Sequence, residues 1–362
     1  MSRMMRGLAR RARGAVRAVQ RAQDLRWRRL PRFTVGRPAG PPTVYYLAPH
    51  LAAPSGGVRN IYRHVDTLNA AGVPAAVVHA KTGFRCGWFA NDTRVLDASA
   101  VTLGPADVLV VPECYGPGLD GLPDGPRVVV FNQGAYHTFD LVDADREPGA
   151  PYAAARGLIG LLTVSHDSVD LLRCAFPQLP VHLARIAVDG DVFHPARGRP
   201  ERRISFLTHR RPDERAQLLH MLRARGRLDG WELTPIAGRS ERDTAALMRR
   251  SAVFLSFSHR EGFGLPPAEA MASGCYVVGY HGQGGREYFD PAYCTPVPDG
   301  DLTAYVRAVE EACAAYDTDP DAFVKLGRVA AEAVQTRYAP AGLRDDLLAF
   351  YGPLMPTTGD EG

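Results

Sequence analysis

A chain of 362 residues exceeds what one compact core comfortably holds, since single cores seldom grow past about 250 residues, and it suits two domains. With 46% hydrophobic and 23% charged residues the composition is that of an ordinary globular protein, which excludes general disorder. The net charge of +4 hides an asymmetry: residues 1–37 hold twelve arginines and one acid, Asp24, which leaves −7 on the other 325, and an acidic body does not read as a nucleic-acid binder.

The arginine-rich start, residues 1–40, is set apart as a tail. At about 100° per residue, Met5, Leu8, Ala12, Val16 and Val19 fall on one face and Arg6, Arg10, Arg13, Arg17 and Arg21 on the other. That pattern fits an amphipathic helix drawn to an anionic membrane surface through residues 1–30, a disordered arm, or a partner-binding helix, and the sequence leaves these open. No apolar run is long enough to span a membrane or to serve as a secretion signal. The six cysteines lie far apart, with no C-x-x-C pair and no matching histidine spacing, so neither a zinc site nor a disulfide framework is expected and a cytoplasmic location follows.

From Thr43 onward, short β-branched runs alternate with longer helical patterns, which predicts parallel sheets covered by helices. Strands are expected near Val44–Leu47, Ala75–His79, Asp107–Val111, Arg127–Phe131, Gly160–Val164 and Val181–Ile186, giving a first Rossmann-like domain over residues 41–198. The polar stretch His194–Arg203 (HPARGRPERR) reads as the linker. A second strand series, Ile204–Leu207, Trp231–Ile236, Ala252–Phe257 and Tyr276–Tyr280, predicts a smaller Rossmann-like domain over residues 199–337. Beyond Tyr338 and Pro340, Leu343, Leu347, Leu348 and Tyr351 recur at helical spacing, so residues 338–362 read as a last amphipathic helix and a polar tail.

The chemistry concentrates in Ala252–Tyr280, which reads as strand, loop, helix, strand. Its loop, Ser258–Gly264, leaves the carboxyl end of a parallel strand, where open α/β sheets hold their ligands. Gly262 and Gly264 permit tight backbone turns, and Pro266 and Pro267 suit the opening of a helix starting around Leu265. That helix end is a seat for a diphosphate. Glu261 and Glu269 flank it, one in the loop and one about a turn inside the helix, as acceptors for sugar hydroxyls at the loop and for hydroxyls one turn deeper.

Ser258–Gly274 reads SHREGFGLPPAEAMASG, and this resembles the donor site of glycosyltransferase family 4, with its E-x7-E spacing. The resemblance implies a GT-B fold, two Rossmann-like domains facing each other across a cleft, with a C-terminal helix returning to the first. It also implies a retaining transfer from a nucleotide sugar, with Glu261 on the donor sugar, the amides of Gly262, Phe263, Gly264 and Leu265 on its hydroxyls and phosphate, and Glu269 on the ribose. The family proline after the A-x-G turn is replaced by Cys275 and Tyr276.

Weaker signals sit at other strand ends. Gly56 and Gly57, after the first strand, allow a phosphate or sugar close to the backbone and resemble the family's glycine pair. The family's arginine and lysine that clasp the diphosphate are matched by Arg210 and Arg211, with Arg215 further on and no lysine nearby, and arginine suits phosphate oxygens. Asn132, Gln133 and His137 follow a buried strand where the family has a donor-contacting histidine. Asp189, Phe193 and Pro195 match a family segment before the linker and speak for the fold. The pairs Asp143 with Asp145 and Asp189 with Asp191 read as solvated acids, so no required metal and no cofactor beyond the donor are expected.

The sequence thus predicts a retaining glycosyltransferase acting on an acceptor hydroxyl of a glycan, glycolipid or natural product. The expected catalytic residues are Glu261, Arg210, Arg211 and His137, and the expected donor contacts are Gly56, Gly57, Asn132, Gln133, Gly262, Phe263, Gly264, Leu265 and Glu269. The alternatives are a non-catalytic homologue in a glycosylation complex and a nucleotide-sugar epimerase or phosphorylase of the same fold.

Overall fold

The computed structural model describes residues 28–38, 40–140, 142 and 149–355. The amphipathic tail pattern of residues 5–21 and the pair Asp143 with Asp145 lie outside the described residues. In chain order the first half contains β1 (Thr34–Val35), β2 (Val44–Ala48), α1 (Gly56–Ala70), β3 (Ala75–His79), β4 (Val95–Asp97), β5 (Thr102–Leu103), β6 (Val108–Pro112), β7 (Arg127–Asn132), β8 (Leu158–Thr163), α2 (His166–Ala175) and β9 (Val181–Leu183). The second half contains β10 (Glu201–Leu207), α3 (Pro212–Arg225), β11 (Glu232–Ile236), α4 (Glu241–Arg250), β12 (Ser251–Glu261), α5 (Leu265–Ala272), β13 (Tyr276–Gln283), β14 (Thr295–Pro296), α6 (Leu302–Thr318), α7 (Pro320–Arg337) and α8 (Pro340–Tyr351).

Seven strands of the first half form one parallel sheet in the order β4-β3-β2-β6-β7-β8-β9. Five strands of the second half form another, β11-β10-β12-β13-β14, also parallel throughout. The central strands are uniformly apolar because helices cover both faces, so no alternation is needed. Each sheet reverses its winding once, between β2 and β6 in the first and between β10 and β12 in the second. At such a point neighbouring loops diverge and leave a crevice at the strands' carboxyl ends. The two crevices hold the residues after β2 and those after β10 and β12.

The short strands β1, β4, β5 and β14 escape sequence reading because two or three residues alone show no period, whereas β9, expected over Val181–Ile186, is present but ends at Leu183. β12 runs to Glu261, past the expected end at Phe257, and its register with β13 shifts between Ser258 and Glu261. Arg260 sits there at φ +50°. Glu261 therefore ends a strand, opposite Gln283, instead of floating in a loop. β10 likewise begins at Glu201, inside the expected linker, where the Arg203 guanidinium donates to Glu232 on β11 at 2.7 Å.

The domains share one apolar cluster that runs from Tyr46, Ile61 and Phe131 through Ile186 and Phe193 to Phe263, Met271 and Tyr351. α8 completes it from the chain's end. Its Leu343, Leu347 and Tyr351 are buried against the first domain, the Tyr351 and Tyr46 hydroxyls are hydrogen-bonded at 2.8 Å, and Asp346 takes Nε and Nη2 of Arg185, each at 2.8 Å.

Candidate functional site

Between the two sheets lies a cavity of about 710 Å³. The first domain lines it with Leu51, Gly56, Gly57, Arg59, Trp88 and Gln133, and the second with Thr208, His209, Arg210, Glu241, residues Glu261–Pro266 and Glu269. These positions are brought together from loops and helix starts at the two winding reversals.

Glu261 is the carboxylate of this wall nearest a strand end. Arg210, three residues after the end of the strand at Leu207, forks onto it, with Nε to Oε1 at 2.7 Å and Nη2 to Oε2 at 3.3 Å. The guanidinium is half exposed on the cavity side, and Arg215 Nη1 holds the Arg210 carbonyl at 2.7 Å. His209, beside it, has its pKa lowered by burial first and by Arg210 next, with Glu261 opposing.

Its neighbour Arg211 goes the other way. The residue caps α3 in a left-handed conformation, φ +41°, which turns the side chain from the cavity into the second domain. There its guanidinium lies 4.5 Å from the Tyr280 ring centroid and donates to Glu214 at 2.8 Å, His259 Nδ1 at 2.8 Å and Asp299.

α5 begins at Leu265 after Gly264, φ +85°, where a Cβ would collide with the Tyr288 hydroxyl. Of its first three residues only Leu265 carries an N–H, because Pro266 and Pro267 have none. The helix end therefore meets an anion through few donors and through its dipole. Phe263 is buried, tilted against the Tyr288 ring and edge-on to Tyr338, and braces the turn. Gly262 is pressed against the first domain: its carbonyl accepts from Ser165 Oγ at 2.5 Å and Ser168 Oγ at 3.3 Å, and a Cβ would run into the Gln133 carbonyl.

Glu269, one turn into α5, is buried and meets the first domain directly. Arg59, one turn into α1, donates from Nη2 to Glu269 Oε1 and from Nη1 to Glu241 Oε1 at 2.6 Å. Arg63, the next turn on, reaches Glu241 at 3.1 Å and the Ala187 carbonyl at 2.9 Å. Burial pushes the Glu269 carboxyl up, with the Arg59 charge pulling against it. Arg59 was not singled out in the sequence. Its only signal is an arginine just inside a helix that opens on Gly56 and Gly57 after a strand.

The remaining expected contacts divide. Gly56 and Gly57 line the cavity, with Leu265 packed where a Gly56 side chain would go. Gln133 lines it too, bridging the Gly57 carbonyl at 3.0 Å and Asn60 Nδ2 at 3.0 Å. Asn132 lies behind, fully buried, donating to Thr138 Oγ1 at 2.7 Å and to the Tyr152 hydroxyl at 2.8 Å. His137 is exposed outside the cavity lining and pairs with Asp140 at 2.9 Å. Asp191 is exposed, and Asp189 is 3.8 Å from Arg63. Among the described residues no group of three or more His, Cys, Asp or Glu side chains is placed to hold a metal ion.

Comparison with known proteins agrees with this arrangement. Residues 228–324, which contain both glutamates and α5, match the family model described as Glycosyl transferases group 1. An alpha-1,6-glucosyltransferase of Actinobacillus pleuropneumoniae is 24% identical over 260 residues, covering 69% of this chain and 77% of that protein. Among solved structures, the sucrose-phosphate synthase of Thermosynechococcus elongatus superposes with a TM-score of 0.65 at 14% identity, over 86% of this chain and 99% of that one. The pneumococcal O-GlcNAc transferase GtfA, in complex with UDP and GlcNAc, gives 0.61 at 9% identity over 87% and 99%. Anabaena HepE, in complex with UDP and glucose, gives 0.59 at 11% identity over 86% and 100%. The chain has the GT-B fold, and the match to the glycosyl transferases group 1 model falls within its second half, over residues 228–324.

Proposed function

We propose that this protein is a retaining glycosyltransferase that moves a sugar from a nucleoside diphosphate to an acceptor hydroxyl. The observation that carries the reading is the meeting of Glu261, Arg210, the start of α5 and Glu269 on one wall of a single interdomain cavity. The resemblance of Ser258–Gly274 to glycosyltransferase family 4 supports it, as do a relative named as an alpha-1,6-glucosyltransferase and neighbours solved with UDP.

In this reading the ribose hydroxyls bond to Glu269, the diphosphate lies between Arg210 and the Leu265 amide, and Glu261 faces the sugar. Charge grows on the departing diphosphate in the transition state, so a fixed guanidinium and an oriented helix end lower the barrier where it forms. With the acceptor on the same face as the leaving group, the leaving phosphate takes the acceptor's proton and the anomeric configuration is kept. The phosphate charge is met by arginine and backbone, and the transfer calls for no metal and no cofactor. Leu51 and Trp88, on the wall opposite the α5 turn, are the surface offered to the acceptor.

The arginine face of residues 1–30 supports a cytoplasmic protein seated on an anionic membrane surface. Among the described residues no helix is long and apolar enough to cross a membrane. Vesicle flotation of the full chain and a chain lacking residues 1–30 tests this, with binding by the full chain alone as the expected result.

The test of the transfer is a thermal-shift screen against nucleotide sugars, followed by product analysis with sugar acceptors. The expected result is acceptor-dependent release of nucleoside diphosphate and an NMR anomeric signal of the donor's configuration. An inverted product, or epimerised nucleotide sugar formed from donor alone, overturns the assignment.

A further inference from the structure

The second-domain carboxylate assigned to the ribose is held by a residue of the first domain. Arg59 and Glu269 are both nearly buried, at 9% and 8% side-chain exposure, and Glu241 at 12% shares the same guanidinium. Three charges so enclosed and all on the cavity wall form a bridge between α1 on one side and the starts of α4 and α5 on the other. A guanidinium is suited to this because its planar fork serves two carboxylates at once, which an ammonium cannot match. Ser55 caps the same helix, its Oγ accepting from the Val58 amide at 3.4 Å, so the first turn of α1 that carries Arg59 is held at a defined angle to the glycine pair. Arg63, anchored on the Ala187 carbonyl, backs Glu241 and keeps it turned toward Arg59.

We propose that Arg59 is a positioning residue of the donor site: it fixes the Glu269 carboxylate for the nucleoside ribose and, through Glu241, makes nucleotide binding and apposition of the two domains a single event. The proposal rests on the transferase reading above. Its physical basis is that a buried carboxylate loses its acceptor power when its counter-charge is removed. Without Arg59, Glu269 would face Glu241 across a low-dielectric gap. The charged groups around it would then be Glu241 on α4, Arg63 on α1 and, beyond Arg63, Asp189. One of the two carboxylates would take up a proton, and a protonated Glu269 can accept only weakly from a diol.

The experiment is calorimetric binding of UDP, ADP and GDP to the full chain and to Arg59→Gln, Arg59→Lys and Glu241→Gln, at pH 6, 7 and 8. For the diphosphate that the wild type binds, Arg59→Gln should weaken affinity about 10- to 100-fold at pH 7, the loss of one charged hydrogen bond. Its deficit relative to wild type should widen as pH falls from 8 to 6, because the freed carboxyl there protonates. Arg59→Lys, which keeps the charge and loses the fork, should show a smaller deficit with no widening, and it carries the comparison if Arg59→Gln does not fold. Glu241→Gln should weaken binding less than Arg59→Gln. A purely architectural Arg59 would lower the melting temperature of these variants yet leave the affinity of the folded protein and its pH dependence at the wild-type values, and that result overturns the proposal. If the wild type binds none of the three diphosphates, the transferase reading falls and this inference with it.

Discussion

Arg210 and Glu261 form a two-pronged ion pair across the floor of the cavity, whereas Arg211, the very next residue, points away from it over the Tyr280 ring. Both arginines follow the same strand, and a diphosphate clasp could be sought in either. The left-handed backbone at Arg211 separates their surroundings, one lining the cavity, the other enclosed by Glu214, His259 and Asp299.

Replacing these arginines should therefore have different effects. Arg210→Ala should cost about 2 to 4 kcal/mol of transition-state stabilisation, read as a fall in kcat of roughly 30- to 1000-fold with little change in melting temperature. Arg211→Ala should instead lower stability by about 1 to 3 kcal/mol through the orphaned acids and lost ring contact, with kcat of the folded fraction near wild type. Equal kinetic losses in both would move the clasp.

The two glutamates should separate as well. Under the proposed roles, Glu269→Gln removes charge from the carboxylate proposed to meet the ribose and should raise the donor KM roughly 10- to 100-fold with a smaller change in kcat. Glu261→Gln alters the carboxylate proposed to face the reacting sugar, where a misplacement of about 1 Å can cost on the order of 100-fold in rate, so its effect should fall on kcat. Calorimetry with the free diphosphate gives an independent check, since it lacks the sugar and should bind Glu261→Gln as it binds wild type.

Gly262 packs backbone to backbone against the first domain. A Cβ there meets the Gln133 carbonyl and the Gly134 amide nitrogen, both backbone, so neither neighbour can swing aside. Gly262→Ala should destabilise by about 1 to 3 kcal/mol and lower kcat at least tenfold by holding the domains apart. Gly56→Ala serves as the control, because its Cβ meets only the tip of Leu265, a side chain that can rotate. Chemical denaturation and steady-state rates on the pair distinguish backbone contact from simple crowding.

Stability should fall in mild acid. His64 is buried in α1 between Tyr46 and Phe131, takes the Tyr46 hydroxyl at 3.1 Å on Nδ1, and has no partner for Nε2. Burial lowers its pKa from 6.5 to about 3, with Asp346 pulling weakly the other way. His79 is lowered to about 4, again by burial first. A folded pKa below the unfolded one means that the unfolded chain binds the extra proton. This contribution is thus intact above pH 6.5 and is lost as pH falls toward 3, at about 1.4 kcal/mol per unit for each histidine. Between pH 6.5 and 5 the His64 share is about 2 kcal/mol, and His64→Phe should remove that share of the slope in urea denaturation curves.

The alternation of apolar runs and helical patterns was enough to predict both parallel sheets, and the strand ends fell within a few residues of those observed. The local form of Ser258–Gly274 was equally legible, because its glycines, prolines and carboxylates set local backbone geometry: a turn, a helix start, a carboxylate on either side. Asn132 shows where local signals end. It follows a buried strand as a ligand residue would, yet its amide is spent on Thr138 and Tyr152, partners that only the folded loop brings near. His137, read from the same loop, pairs with Asp140 at the surface.

The sequence by itself determined that this protein has two Rossmann-like halves and that a glycine-rich turn before a short helix carries paired glutamates, since strand burial and helix starts are properties of neighbouring residues. Tertiary structure alone decided that Arg210 and not Arg211 lines the cavity, that Gly262 touches Gln133, and that Arg59 reaches Glu269 across 210 positions of chain. Those relations depend on how two separately wound sheets face one another, and no period within either half records that distance.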